Sequence, residues 1–421
     1  MIDQKQKRIL ILALFAGELM MKSGAEVYRV EDTITRICRA CGIPYVECFA
    51  TTTGIFLSID RGDLDGDMHT FIKRIAGNSI DLGRISAINE FSRSFTSTDM
   101  SVEEGFARLR EIERKRPYGL PLNALGALFI GASLCPCFGG RAVDSLFCAL
   151  VTVLAYFVSL GIGRLRLNAF THTFLSCSTC ALLAVAGREL GLVSSVAPVI
   201  IGAITLFMPG VAITNAARDL LSGDMLAGVA RSAEAFIAAV AIAGGVGLVL
   251  KLWSMARGGF PVETAVRYPL YAFFVLAFFT TLGFCFQFHV PVKHWIAASF
   301  AGACGFWLYQ YGTLLLGYSI PFAGFLGAGL VALLAELCSR AGKDATTLFI
   351  IPGIIPLVPG TGMYATMLHL LQNSFASAAE TGIRTLLVAG CIAIGLISVA
   401  SLTRMAVAAR RKAAGLFRGP R

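Results

Sequence analysis

The chain has 421 residues and a formal net charge of +10; 56% of the residues are apolar, 15% are charged and the mean hydropathy is +0.71. These values lie outside the range of an ordinary soluble domain and predict an integral membrane protein. Much of the positive charge lies beside apolar segments and in the C-terminal tail, so we assign it to membrane topology and expect no nucleic-acid partner.

Residues 1–117 differ in character from the rest of the chain. Charged and apolar residues alternate there, and no uninterrupted apolar run is long enough to span a bilayer. The stretch from Ile9 to Met21 is too short and contains Glu18, which also argues against a signal peptide. We therefore expect a soluble domain over residues 1–117.

This segment contains both helical and strand patterns. Apolar residues at helical spacing end at Gly42, an alternating β-branched and aromatic run follows, and Ser101 with Glu104 predicts a helix cap. The predicted elements are a helix over 24–42, strands over 45–60 and 69–75 joined by Asp-Gly turns at 61–67, and helices over 80–95 and 102–116. Together they indicate a small α/β domain, whose last helix we expect to lead straight into the first membrane span.

Ten apolar stretches follow that are long enough for a hydrocarbon core, which takes about 20 helical residues. The first five centre near residues 129, 153, 178, 203 and 240, and the second five near residues 279, 302, 328, 356 and 393. The sequence therefore predicts an α-helical membrane body with five spans at 118–256 and five more, followed by a basic tail, at 257–421.

The two sets of five spans look like copies of one pattern. The apolar pattern that starts near Leu120 starts again near Leu270, and in this register Phe138 aligns with Phe288. The pair Pro209-Gly210 likewise aligns with Pro359-Gly360. Because five is odd, the second copy would enter the membrane from the opposite side, which predicts two inverted repeats of the kind common in secondary transporters.

Basic residues predict the orientation in the membrane. Most flank spans on the side that the positive-inside rule makes cytoplasmic, at 114–116, 164–166, 293, 340–343 and in the tail from 404 to 421. Both termini should then be cytoplasmic. The segment that contains Lys251, Arg257 and Arg267 would lie outside and opposes this orientation.

The two Pro-Gly pairs predict broken helices and a binding site. Proline removes an amide donor, and a bilayer tolerates the resulting break where protein or a watery cavity satisfies the exposed backbone groups. The amides at the start of a broken helix could hold a carboxylate. The predicted substrate-binding residues are Pro209, Gly210, Asn215, Asp219, Pro359, Gly360, Thr361 and Gly362. The alternative is that the prolines only kink packed helices.

Ionisable residues inside spans are costly, by about 2.5 to 3.5 kcal/mol at the centre of a span, so each needs a reason. The candidates for proton coupling are Asp219, Glu336 and His369, with Glu234 a weaker one. His369 occupies in the second copy the position of Asp219 in the first. However, Asp219 follows Arg218 and Glu336 precedes Arg340 by four residues, so both could also be ion-paired helix ends.

Twelve cysteines include pairs at 38 and 41, 135 and 137, and 177 and 180, which superficially match metal or redox spacings. Two of these pairs lie in predicted spans, where cysteine is usually a packing residue, and no nearby histidine supplies further ligands. We therefore predict neither a metal nor a cofactor.

Four segments of the sequence resemble motifs of the threonine/serine exporter family: GAEVYRVEDTITRIC, TTTGIFLSI, MPGVAITNAARDLLSGDMLAG and IPGIIPLVPGTGMYATM. The resemblance covers essentially the whole chain, in the fused form of a soluble part followed by two five-span parts. It implies export of L-threonine and L-serine across the bacterial inner membrane, driven by the proton motive force. A related two-component system is associated with succinate, so the resemblance also allows C4 dicarboxylates as substrates.

Two other classes of function are alternatives. The acidic residues of RGDLDGDMH, at 61–69, could suggest an enzyme or a cation loop in the soluble domain, but the spaced glutamate of a calcium loop is missing and no catalytic motif is present. A passive channel or scaffold stays an alternative, although the broken helices and the titratable groups within the spans favour a carrier. We therefore expect a transporter and not an enzyme, with membrane lipid, substrate and protons as partners; homo-oligomerisation stays open.

Overall fold

The structure is a computed structural model that describes residues 4–43, 45–60, 69–77, 79–115, 118–257 and 265–416. The predicted Asp-Gly turns at 61–67 lie outside these residues, as does the end of the basic tail. The chain divides into two compact units. The first unit comprises residues 1–120, 212–234 and 288–292, and the second unit comprises residues 121–211, 235–287 and 293–421.

The N-terminal part of the first unit contains the helices and strands that the residue patterns predict, preceded by one further helix. In chain order they are α1 (Gln4–Lys22), α2 (Val27–Ala40), β1 (Tyr45–Thr51), β2 (Gly54–Asp60), β3 (His69–Arg74), α3 (Leu82–Ser97) and α4 (Val102–Arg114). Gly42, which has a positive φ of 81°, follows α2 where the sequence predicts its end.

The three strands form an antiparallel sheet in the order β1-β2-β3. Successive side chains of a strand point to opposite faces, and burial follows this alternation. Ile55 and Leu57 of β2 are fully buried, whereas Phe56 between them and its partner Ile72 on β3 are exposed. The inner face of the sheet therefore contributes to the core of the first unit.

A capping box begins α4. The Ser101 hydroxyl accepts a hydrogen bond from the Glu104 N–H at 3.2 Å, and the Glu104 carboxylate accepts one from the Ser101 N–H at 2.8 Å. The helix ends at Arg114 and α5 begins at Leu120, so α4 does not continue straight into the first membrane helix as we expected. Pro117 gives a reason in the sequence, since a residue that precedes proline is disfavoured in a helix.

The remaining described helices are α5 (Leu120–Cys137), α6 (Ala142–Gly163), α7 (Ala169–Glu189), α8 (Val196–Ile204), α9 (Gly210–Ser222), α10 (Met225–Arg257), α11 (Leu270–Gln287), α12 (Trp295–Leu314), α13 (Ile320–Gly342), α14 (Thr347–Ile354), α15 (Gly360–Leu371) and α16 (Phe375–Leu416). Most lie in the second unit, while α9 and α10 contribute residues to both units.

Among the described residues, seven helices are long and apolar enough to cross a membrane, and up to nine spans result if each of two bent helix pairs counts as one. These helices identify an integral membrane protein. The seven are α5, α6, α7, α10, α11, α13 and α16, and the bent pairs are α8 with α9 and α14 with α15. The one predicted span that is not among these nine, centred near residue 302, corresponds to α12, whose Trp, Tyr and Gln residues lower its hydropathy. Ten spans therefore stay a prediction.

The order of the elements supports the internal duplication. Helices α5 and α11 begin 150 residues apart, at Leu120 and Leu270, and the same spacing separates the starts of α9 and α15 and of α10 and α16. Backbone conformation repeats as well, since Gly223 and Asn373, also 150 residues apart, both have positive φ. The opposite orientation of the two copies in the membrane stays a prediction.

Candidate functional site

Two helix breaks lie where the sequence predicts them. Helices α8 and α9 meet at 57°, and α14 and α15 meet at 42°. In each pair a short 3-10 turn precedes the Pro-Gly pair, at Thr205–Phe207 before Pro209 and at Ile355–Leu357 before Pro359. Because proline has no amide hydrogen to donate, the helical ladder is interrupted at both positions.

The two breaks contact each other within the second unit. A β-carbon added to Gly210 would lie 2.5 Å from Cδ1 of Ile355, and one added to Gly360 would lie 2.8 Å from Cε of Met208. Each glycine of one break therefore packs against a side chain beside the other break. The absence of a side chain at both positions permits this approach.

A cavity of about 240 Å³ lies beside the second break. Pockets that hold drug-sized ligands have volumes of about 300 to 1,000 Å³. This cavity is somewhat smaller, and its size suits a small metabolite. Three of the predicted site residues line it, namely Pro359, Thr361 and Gly362. The other residues that line it are Cys137, Phe138, Phe306, Tyr309, Gln310, Ile320, Pro356, Leu357, Val358, Thr381, Arg384, Thr385 and Val388.

The cavity combines an apolar wall with uncharged polar groups and a positive charge. Its single charged side chain among the described lining residues is Arg384 on α16, and none of these residues is acidic. The first amides of α15 have no partner further back in their own helix, as at any helix start, and favour negative charge. Arg384 and Gln310 were not among the site residues predicted from the sequence. The signal in the sequence was an arginine four residues after Glu380, inside a predicted span.

The first unit contains a second polar cluster, around Asp219 of α9. This side chain has no exposed surface, and its Oδ2 lies 3.4 Å from Nε of Arg231, which is itself only 8% exposed. Nη2 of Arg231 also donates a hydrogen bond of 2.7 Å to the carbonyl oxygen of Ala25. Within the described residues neither carboxylate oxygen of Asp219 accepts a hydrogen bond of good geometry. The result is a buried carboxylate whose close ion-pair partner is Arg231.

The same cluster joins the start of α2 to α9. Arg218 forms an ion pair with Glu26, which is 2% exposed, and Arg29 approaches the other oxygen of Glu26 at 2.9 Å. Nδ2 of the predicted site residue Asn215 donates to the carbonyl oxygen of Gly24 at 3.2 Å. The turn between α1 and α2 is therefore fixed to α9 by buried polar contacts. Glu26 and Arg231 were not predicted as site residues, because the contacts of Glu26 with Arg218 and of Arg231 with Ala25 join positions 192 and 206 residues apart.

Another carboxyl of the first unit, Glu31 on α2, has a perturbed environment. Burial raises its pKa above the usual value, and the nearby carboxyl of Asp224 adds to the effect. A hydrogen bond of 2.8 Å from the N–H of Ala50 opposes both, because it stabilises the ionised form. Acidic groups thus accumulate where the N-terminal segment meets the turn after α9.

The other two candidates for proton coupling lie in the second unit. Glu336 of α13 is ion-paired with Arg340 at 3.1 Å and accepts a hydrogen bond of 3.3 Å from the Thr346 hydroxyl, which fits a helix-end ion pair. His369 is half-buried in the last turn of α15. Neither side chain lines the cavity beside the second break.

Several of the cysteines pack in the interior of the two units. Cys135, Cys177 and Cys180 are fully buried in the core of the second unit. In the first unit, burial and the neighbouring Cys41 raise the pKa of Cys38 to about 12, which leaves little of the thiolate that binds metals. No group of three potential metal ligands occurs within the described part of the chain.

Comparison with known proteins gives the family. The family described as "Putative threonine/serine exporter" matches residues 11–253, and the one described as "Threonine/Serine exporter, ThrE" matches residues 273–402. No solved structure is significantly similar to the chain.

Similar curated proteins carry two kinds of name. The "Probable threonine/serine exporter" of Mycobacterium tuberculosis is 22% identical over 98% of this chain and 79% of its own length. The "Threonine/serine exporter" of Corynebacterium glutamicum is 21% identical over 98% and 84%. The "Probable succinate transporter subunit YjjP" of Escherichia coli is 25% identical over 61% of this chain and 98% of its own length. The chain belongs to the threonine/serine exporter family.

Proposed function

We propose that this protein is a secondary transporter that exports L-threonine and L-serine in exchange for protons across a bacterial inner membrane. Membership of the exporter family and the apolar helices support a membrane transporter over an enzyme. The observation on which the substrate class rests is the small cavity beside the second Pro-Gly break, because it combines a cation, hydroxyl groups and helix-start amides.

The proposed topology has ten spans in two inverted five-helix repeats, with an N-terminal α/β domain and both termini in the cytoplasm. The set of chain segments that forms the first unit supports this topology. Residues 1–120 cluster there with 212–234 and 288–292, and the turn after α9 and the loop after α11 are both cytoplasmic in the proposed topology. Segments assigned independently to one side of the membrane therefore share one compact unit.

We assign substrate binding to the second break. The amides of Thr361 and Gly362 belong to the first turn of α15, where N–H groups have no acceptor within their own helix and the helix dipole favours a carboxylate. Pro359 directly precedes this turn and, because it has no N–H, interrupts the helical ladder there. The first break, at Pro209 and Gly210, supports the second by direct packing.

We assign proton coupling to Asp219. It is fully buried in the first unit with Arg231 as its close cationic neighbour, so a change in its protonation would alter the balance of charge in a dry environment. Glu336 is a weaker candidate because Arg340 and Thr346 already satisfy its carboxylate. Asn215 has a positioning role in this assignment, through its hydrogen bond to Gly24.

Export of C4 dicarboxylates such as succinate is the second candidate. The relatives named as succinate transporter subunits match about 60% of this chain, and the absence of acidic side chains among the described cavity-lining residues suits a dianion. Direct competition between substrates separates the two candidates.

Counterflow of radiolabelled L-threonine into proteoliposomes tests the proposal, with serine and succinate as competitors and with and without an imposed pH gradient. We expect serine to inhibit uptake and the pH gradient to change its rate. In Asp219→Asn the response to the gradient should be lost, whereas the exposed control Asp32→Asn should retain it. Competition by succinate but not by serine would favour the dicarboxylate exporter, and no uptake of either would refute the proposed transport.

A further inference from the structure

We propose that Arg384 binds the carboxylate of the transported substrate and thereby sets the specificity of the cavity for carboxylic acids. The inference rests on the proposed function in one respect, namely that the cavity beside the second break is the substrate site. Arg384 projects from α16 as the single charged side chain among the described residues that line this cavity.

The position of Arg384 in the membrane body asks for an explanation. It lies within Phe375–Thr403, one of the seven candidate spans, where a charged side chain is costly. Its ion pair with Glu380, at 3.4 Å and with side-chain exposures of 62% and 73%, is too exposed to provide the reason. That contact uses Nη2, whereas a guanidinium has five N–H donors suited to a carboxylate. An anionic ligand in the cavity supplies the missing reason.

The neighbouring hydroxyl groups complement this role. The Thr381 and Thr385 hydroxyls each donate a hydrogen bond of 2.7 Å to a carbonyl oxygen of their own helix, at Ser377 and Thr381 respectively. Because each hydroxyl hydrogen is already donated, these two hydroxyl groups can act towards a ligand only as hydrogen-bond acceptors. Arg384 and the amides of α15 would hold a carboxylate, while the threonine oxygens would accept from an ammonium or a hydroxyl. This arrangement suits a hydroxy amino acid.

Close packing brings these groups together. A β-carbon added to Gly362, in the first turn of α15, would lie 2.2 Å from Oγ1 of Thr385 on α16. The start of α15 therefore touches the face of α16 next to Arg384. The helix amides and the guanidinium can act on the same carboxylate because glycine leaves no side chain between the two helices.

The test measures the carboxylate preference of transport. Proteoliposomes containing the wild type, Arg384→Gln, Arg384→Lys or the control Arg108→Gln are loaded for L-threonine counterflow, with L-threonine and L-threonine amide as competitors. The amide retains the ammonium and the hydroxyl but lacks the carboxylate. Arg108 forms an exposed ion pair with Glu111 on α4 and does not line the cavity.

In the wild type, threonine should compete and its amide should not. Arg384→Gln should raise the half-saturating threonine concentration about tenfold, the scale of one charge-assisted hydrogen bond, and should reduce the preference for threonine over its amide. Arg384→Lys should retain part of the preference, and Arg108→Gln should match the wild type. An Arg384→Gln protein with unchanged half-saturation and unchanged preference would overturn the inference. If that variant does not fold, Arg384→Lys decides: a preference below that of the wild type supports the inference, and an unchanged preference overturns it.

Failure of the proposed function gives a different result. If the wild type carries succinate and not threonine, the same variants are compared with succinate and monomethyl succinate, and the proposed substrate fails while Arg384 is still tested. If the wild type carries neither, the proposed function and this inference fall together. If the wild type transports threonine and Arg384→Gln behaves like the wild type, only this inference fails and the proposed function stands.

Discussion

Asp219 and Arg231 show how a single buried charge depends on its partner. Both side chains are almost completely removed from solvent, and Arg231 also satisfies the carbonyl oxygen of Ala25. A buried ion pair adds little net stability, but removal of one partner leaves the other charge uncompensated. The structural role of Arg231 therefore follows from the burial of Asp219.

We expect Arg231→Ala to destabilise the first unit by about 3 kcal/mol, because it leaves the carboxylate of Asp219 and the carbonyl oxygen of Ala25 without their partner. Thermal unfolding in detergent should show a midpoint several degrees below that of the wild type. The control is Arg36→Ala, which breaks an exposed pair with Asp32 on α2 and should cost less than about 1 kcal/mol. Equal effects of the two substitutions would contradict the prediction.

At the scale of elements, helix packing in the second unit depends on small residues. A β-carbon added to Gly395 of α16 would lie 2.4 Å from the carbonyl oxygen of Phe325 on α13. In a membrane, where apolar lipid offers little drive for helix association, such close backbone contacts contribute much of the packing. At Gly390 on the same helix, no described atom outside the surrounding helix backbone lies within 4 Å of the corresponding position.

These two glycines give a matched pair of substitutions. We expect Gly395→Ala to destabilise the protein by about 1 to 3 kcal/mol, because the added methyl group forces α16 away from α13. Gly390→Ala should be neutral or stabilising by up to about 1 kcal/mol, since alanine has the higher helix propensity. Midpoints of thermal unfolding in the same detergent would compare them, and a lower midpoint for Gly390→Ala than for Gly395→Ala would refute the packing argument.

For the whole molecule, the number of spans decides whether the repeats are inverted. The element order repeats at a spacing of 150 residues, from Leu120 and again from Leu270. If α12 crosses the membrane, each copy has five spans and equivalent loops of the two copies lie on opposite sides. If α12 does not cross, the sides of all later loops are exchanged.

Epitope insertions in two equivalent loops would test this topology. An epitope at Arg166, between α6 and α7, should be cytoplasmic, and one at Gly317, between α12 and α13, should be external. Accessibility to antibody in intact and permeabilised spheroplasts measures the side. Both residues have positive φ in short turns, where an insertion interrupts no helix. Detection of the two epitopes on the same side would exclude inverted five-span repeats.

Much of the fold could be predicted from local patterns. The elements of residues 24–114, the duplication and the two breaks follow from hydrophobic periodicity, cap residues and the missing amide hydrogen of proline, all of which act within a few residues. The end of α4 before α5 was not predicted, although Pro117 lies between the two helices in the sequence. The low hydropathy of α12 likewise explains why ten spans were predicted and at most nine are found.

The sequence by itself determined that this is a membrane protein with a duplicated body, two Pro-Gly breaks and the motifs of an exporter family, because composition, period and motif are properties of neighbouring residues. Only the tertiary structure decided which polar groups meet. Arg218 pairs with Glu26 across 192 positions of the chain, and Arg384 joins Thr361 at one cavity. The physical reason is that the burial and pairing of a charge depend on how distant helices pack, which no local pattern encodes.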